Sequence, residues 1–80
     1  MIVHVLLFAA YAEALGADQL SVEVPDGSVL QDVVAALRGR QGGNLIPEQP
    51  LVARNQRYAT LADLVESADE IAVIPPVAGG

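Results

Sequence analysis

The chain contains no cysteine, which removes disulfide frameworks, thiolate nucleophiles and thiolate metal sites. Its single histidine is too few for a multi-histidine metal site, so no bound metal is expected. Lysine is absent too: the four basic residues are Arg38, Arg40, Arg54 and Arg57, which leaves the N-terminus as the only primary amine. Against them stand 10 acidic residues and a net charge of −6, opposite in sign to the basic footprint that a phosphate backbone requires. Nucleic-acid binding is excluded on that ground. Long apolar runs are also missing. The stretch from Ile2 to Ala12, broken only by His4, falls short of the roughly 18 apolar residues that read as a bilayer span, and it lacks the positive flank of a signal peptide. It reads instead as the first strand of a soluble, cytoplasmic protein without a membrane partner.

What is present fits one small core. At 80 residues the chain holds a single domain, and at this size its 52% hydrophobic content is what a stable core needs. Val3, Val5 and Leu7 alternate with His4, Leu6 and Phe8, predicting a strand over 2–8. The alanine-rich stretch 9–15 predicts a short helical turn closed by a left-handed Gly16. Leu20, Val22 and Val24 alternate in a second strand that stops at Pro25-Asp26-Gly27. Ser28 followed by Gln31 matches a capping box, and Leu30, Val33, Val34 and Leu37 form one apolar stripe, so a helix is expected over 29–38 with Gly39 as its stop. Residues 40–50 carry two glycines and two prolines and read as a surface loop, with one turn around Leu45-Ile46 and the lowest order in the chain. Leu51 to Arg54 and Arg57 to Ala59 flank Asn55-Gln56 as a hairpin-like pair, and Leu61, Leu64 and Val65 suggest a helical turn. Ile71 to Ile74 is a last strand ended by Pro75-Pro76, which lack backbone N–H groups. The order is β-β-α-β-β, with 1–74 as the domain and 75–80 as an extended tail.

Few side chains point to chemistry. His4 lies opposite the Val3, Val5 and Leu7 face with no carboxylate at a clear pairing distance, and reads as a partly exposed sheet residue. The pairs Asp26/Asp32 and Asp69/Glu70 are explained by capping and solubility. Gly42-Gly43-Asn44 lacks the lysine of a phosphate loop and reads as loop flexibility. The informative segment is Pro75-Pro76-Val77-Ala78-Gly79-Gly80. Two prolines stiffen its start, and the six residues, the last two without side chains, span about 18–21 Å. Such a probe can carry a carboxylate into a deep cleft of another protein. Once activated, a glycine carbonyl is open to nucleophiles because no Cβ shields it.

These residues resemble the sulfur-carrier small subunits of molybdopterin synthases, ubiquitin-like proteins of the β-grasp fold. The match runs through Val5-Leu6-Leu7-Phe8-Ala9, Glu13 with Gly16, the helix from Ser28, Val52-Ala53-Arg54-Asn55-Gln56, Asp69-Glu70-Ile71-Ala72 and the closing Pro75-Pro76-Val77-Ala78-Gly79-Gly80. The resemblance implies an α+β domain with a mixed sheet of four to five strands and one main helix packed across it. It also implies that Gly80 is adenylated by a ubiquitin-activating-type enzyme using ATP, converted to a thiocarboxylate by a sulfur-donor protein, and inserted into the large synthase subunit in a heterotetramer. There its sulfur passes to cyclic pyranopterin monophosphate, building the dithiolene of the molybdenum cofactor. Tail insertion would use Pro75, Pro76, Val77, Ala78 and Gly79, and partner binding Phe8, Tyr58 and Ile74, which the period-2 reading also turns outward. The chain would bind no cofactor and supply no catalytic side chain. Ala68 stands where the family usually has glycine, and Arg54 where a small apolar residue is commoner. Two alternatives share the fold: the sulfur carrier of thiamine biosynthesis, and a ubiquitin-like modifier or binding module.

Overall fold

Val3, Val5 and Leu7 are buried along β1 (Ile2–Leu7) while Ile2 and His4 are exposed, so the alternation in the sequence is the pleat of the strand. The computed structural model describes residues 1–76. After β1 come α1 (Ala9–Leu15), β2 (Gln19–Glu23), α2 (Leu30–Arg38), a 3₁₀ turn (Gly43–Leu45), β3 (Leu51–Arg54), β4 (Arg57–Ala59) and β5 (Glu70–Ile74). The strands form one sheet in the order β2-β1-β5-β3-β4. β1 and β5 run parallel at its centre, and the other neighbours are antiparallel. This is the mixed sheet with one main helix expected of a β-grasp domain, with five strands, three of them after α2.

The core lies between the sheet and α2. Leu30, Val33, Val34 and Leu37 are fully buried against Val3, Val5, Val52, Ile71 and Val73. Each such side chain contributes about 1.5–3 kcal/mol by leaving water, far more than helix propensity does, and this explains why the stripe predicted α2 so well. α1 ends at Gly16, whose φ of 76° is the left-handed cap expected there. Asn55 and Gln56 both have positive φ, 51° and 71°, as a two-residue hairpin turn with the right-handed twist requires.

Three expectations are corrected. The capping box does not form on Ser28: its Oγ donates instead to the Pro25 carbonyl at 2.7 Å, and α2 begins after Val29, whose N–H donates to Asp32 Oδ2 at 2.9 Å. The half of the box that matters is thus the carboxylate one residue beyond Gln31. Residues 61–65 do not form a helical turn. Their carbonyls are engaged elsewhere, with Leu30 N–H donating to Asp63 O and Gln31 N–H to Leu61 O, both at 2.9 Å. The segment therefore satisfies the orphan donors of the first turn of α2, and helical backbone geometry would withdraw those carbonyls. Finally, the 40–50 loop is packed rather than loose. Ile46 is fully buried, and Arg38 Nε donates to its carbonyl at 2.8 Å. Gly42 and Gly43 are there for close approach: a Cβ on Gly42 would lie 2.0 Å from the Ala14 carbonyl oxygen, and one on Gly43 2.0 Å from that of Leu37.

Candidate functional site

The face of the sheet turned away from α2 is built by register. Leu6 pairs with Ala72, Ala72 with Ala53, and Ala53 with Tyr58, so these four, with Gln19 beyond Leu6 on β2, cross the sheet in one row. Ile74 pairs with Leu51 in the next row, and the β1 register carried on by one residue sets Phe8 beside Ile74. Phe8 has extended backbone (φ −132°, ψ 150°), which keeps its side chain on this face. All three residues named from the sequence are therefore on one surface. Phe8, Tyr58 and Leu51 are exposed, and Ile74 is half-buried. Leu6, Leu51, Ala53 and Ala72 were not singled out, because membership of the patch depends on pairing across strands that single-strand alternation does not supply.

Pro75 and Pro76 follow Ile74 directly, so the tail leaves the sheet between Phe8 and Leu51, at the apolar end of this face. Val77, Ala78, Gly79 and Gly80, expected to complete the tail, lie outside the described residues. The opposite end of the face is polar: His4 pairs with Glu70 on one side and Ser21 on the other, and Glu23 lies next to Ile2. His4 is exposed, as expected for a sheet residue. Among the described residues no group of three His, Cys, Asp or Glu side chains could hold a metal ion, and no helix is long and apolar enough to cross a membrane.

The profile of the ThiS family matches residues 5–80. The chain belongs to the ThiS family. The resemblance seen in the sequence holds over its whole length. The molybdopterin synthase sulfur carrier subunit of Arabidopsis thaliana is 33% identical over 79 residues, covering 98% of this chain and 82% of the relative. That of Drosophila ananassae is 37% identical over 81 residues, covering 98% and 90%. Among solved structures, SAMP1 from Haloferax volcanii matches with a TM-score of 0.87 and 28% identity, with 100% of each chain covered.

Both departures from the family pattern bear on the turn that leads into β5, Arg54 from the end of β3 and Ala68 from within the turn. Arg54 Nε donates to Asp69 Oδ2 at 2.6 Å, Asn55 Nδ2 donates to Asp69 Oδ1 at 3.0 Å, and the Glu66 N–H donates to Oδ2 at 2.8 Å. Asp69 is buried and is thus not the solubilising residue expected from the sequence. Burial opposes its ionisation, but the hydrogen bonds from Arg54, Asn55 and Glu66 outweigh that cost and hold its carboxyl below the ordinary value of 3.8. Because the folded value is depressed, the stabilisation is complete above the unfolded pKa and is lost as pH falls through the folded one. Arg54 is therefore the cation that allows this ThiS-family chain to bury a carboxylate next to its central strand.

Ala68, the other departure, has φ of +68° while its N–H donates to Ile2 O at 2.9 Å. An alanine held in the left-handed region is strained by its Cβ. Ala68→Gly should relieve that strain and, after the extra unfolded-state entropy of glycine, stabilise the domain by about 0.5–1 kcal/mol. Urea denaturation is the check, and an unchanged or lowered midpoint would show that the turn carries no strain at this position.

Proposed function

We propose that this chain is the sulfur carrier of a molybdopterin synthase and works in the cytoplasm. The observation that carries the reading is the match over 98% of this chain to relatives named molybdopterin synthase sulfur carrier subunit, supported by a family match running through Gly79-Gly80 and an apolar sheet face that flanks the point where the tail departs. In this reading the Gly80 carboxylate attacks the α-phosphorus of ATP at an activating enzyme, expelling pyrophosphate and leaving an acyl adenylate. A persulfide on the sulfur-donor protein then displaces AMP to give an acyl disulfide, and a thiol cleaves its S–S bond, leaving the thiocarboxylate on Gly80 and a disulfide between that thiol and the donor; the ATP belongs to the activating enzyme rather than to this chain. The tail from Pro75 to Gly80 enters the large synthase subunit, while Phe8, Tyr58 and Ile74 dock on its surface. Sulfur passes there to cyclic pyranopterin monophosphate, with the groups that move protons supplied by the large subunit. Two prolines before the tip restrict the tail before it binds, so less entropy is lost on entering a tunnel.

A second reading, that of a protein modifier, draws on the likeness to a small archaeal modifier protein 1 of Haloferax volcanii, 27% identical with a TM-score of 0.85, covering 95% of this chain and 98% of the other. The two readings and the thiamine alternative separate in one experiment. Protein produced with its activating enzyme and a sulfur source is weighed intact and then mixed with either a molybdopterin synthase large subunit or a thiazole synthase. Replacement of one oxygen by sulfur, followed by dithiolene formation, is the expected result. Thiazole formation alone would move the chain to the sister pathway. Isopeptide-linked conjugates with no sulfur transfer would favour the modifier.

A further inference from the structure

The outer face of the sheet has a relief that its apolar character alone does not convey. In the row Gln19, Leu6, Ala72, Ala53, Tyr58, the two alanines carry only methyl groups and lie between the larger Leu6 and Tyr58. Leu51 and Ile74 stand alongside in the next row, toward the tail. Ala53 is 8% exposed, yet among the described residues no element is layered over this face; Tyr58 is 76% exposed and Leu51 49%. Its burial therefore comes from taller neighbours, and Ala53 with Ala72 forms the floor of a depression walled by Leu6, Tyr58, Leu51 and Ile74.

The charges beside the depression narrow down what fills it. The strand residues of this face include no arginine, and its charged side chains are Glu23 and Glu70, with His4 between their strands, at the end away from Pro75. A second copy of the chain would bring another net charge of −6 against those carboxylates. The complementary surface is an apolar projection flanked by cations on the side facing Glu70.

We propose that Ala53 and Ala72 form a socket for one protruding aliphatic or aromatic side chain of the large synthase subunit, and that seating it fixes the position from which the tail, starting at Pro75, enters that subunit. This rests on the sulfur-carrier reading above and adds to it a specificity determinant in which smallness is the functional property. A larger residue at position 72 points away from α2 and leaves the core untouched, but it occupies the space the partner needs.

The test is calorimetric titration of the cognate large subunit with the wild-type chain, Ala72→Met, Ala72→Gln and Phe8→Asp, with a thermal melt of each variant. The methionine and glutamine variants fill the socket with different chemistry, so weakening by both reports lost space rather than changed polarity. Both should bind at least about tenfold more weakly at a nearly unchanged melting temperature. If both Ala72 variants bind within about twofold of wild type while Phe8→Asp is impaired, the socket is overturned and the docking face stands. If all three bind like wild type, the docking face itself is wrong and the socket falls with it.

Discussion

Deleting Gly80 should stop sulfur transfer and leave the domain folded. Among the described residues the buried cluster runs from Val3 to Val73 and takes in none after β5. The shortened chain still ends in glycine, at Gly79, and its carboxylate has the same intrinsic chemistry. What changes is reach, by one residue or about 3.3–3.6 Å. A misplacement of about 1 Å can cost about 10²-fold in rate, and a shortfall of a whole residue at an activated carbonyl should cost at least that much. Single-turnover formation of the dithiolene product, alongside a thermal melt, measures both halves of the expectation. Activity within about tenfold of wild type would mean that the tail slides to make up the distance and that Gly80 itself is not what is positioned.

A large structural effect is expected from Gly43→Ala, a single added methyl group. Its Cβ would lie 2.0 Å from the Leu37 carbonyl oxygen and 2.9 Å from backbone atoms of Arg38. No side chain can rotate aside, because the obstacle is the last turn of α2, so the 3₁₀ turn and the helix must separate and expose Ile46. Overpacking of this kind costs about 3 kcal/mol. That is a large share of the roughly 4–12 kcal/mol typical of a domain this size, and it lowers the melting temperature by roughly 12–24 °C. Gly16→Ala is the control: Gly16 has φ of +76° but nothing within 4 Å of the added Cβ, so only the conformational cost of about 1–2 kcal/mol applies. Equal losses at the two positions would show that the loop yields and that conformation, not space, decides.

Gly43 also shows where reading the sequence stops. Two glycines in a stretch with two prolines suggest freedom, and nothing local reveals that a helix carbonyl lies where a side chain would go. Asp69 was missed for the same reason, since its partner Arg54 is 15 residues away and the pair meets only once β3 lies against β5. The elements whose signals are local came through. The Leu30, Val33, Val34, Leu37 stripe marks α2, the alternation from Val3 to Leu7 marks β1, and Asn55-Gln56 marks the hairpin turn. The spacing of Leu61, Leu64 and Val65 is helical on paper, yet their backbone serves the first turn of α2. At the candidate site, period 2 was enough to turn Phe8, Tyr58 and Ile74 outward, but the alanine floor between them needs the order of four strands.

The parallel pairing of β1 and β5 has a mechanical consequence. The chain enters the sheet at the start of β1 and the tail leaves it at the end of β5, and these neighbours are matched from His4 and Glu70 to Leu7 and Val73. A pull on the tail, resisted at the other end of the chain, loads the hydrogen bonds of that ladder in shear, sharing the force among them instead of opening them one at a time like a zipper. The domain can thus keep its shape while the tail is under tension.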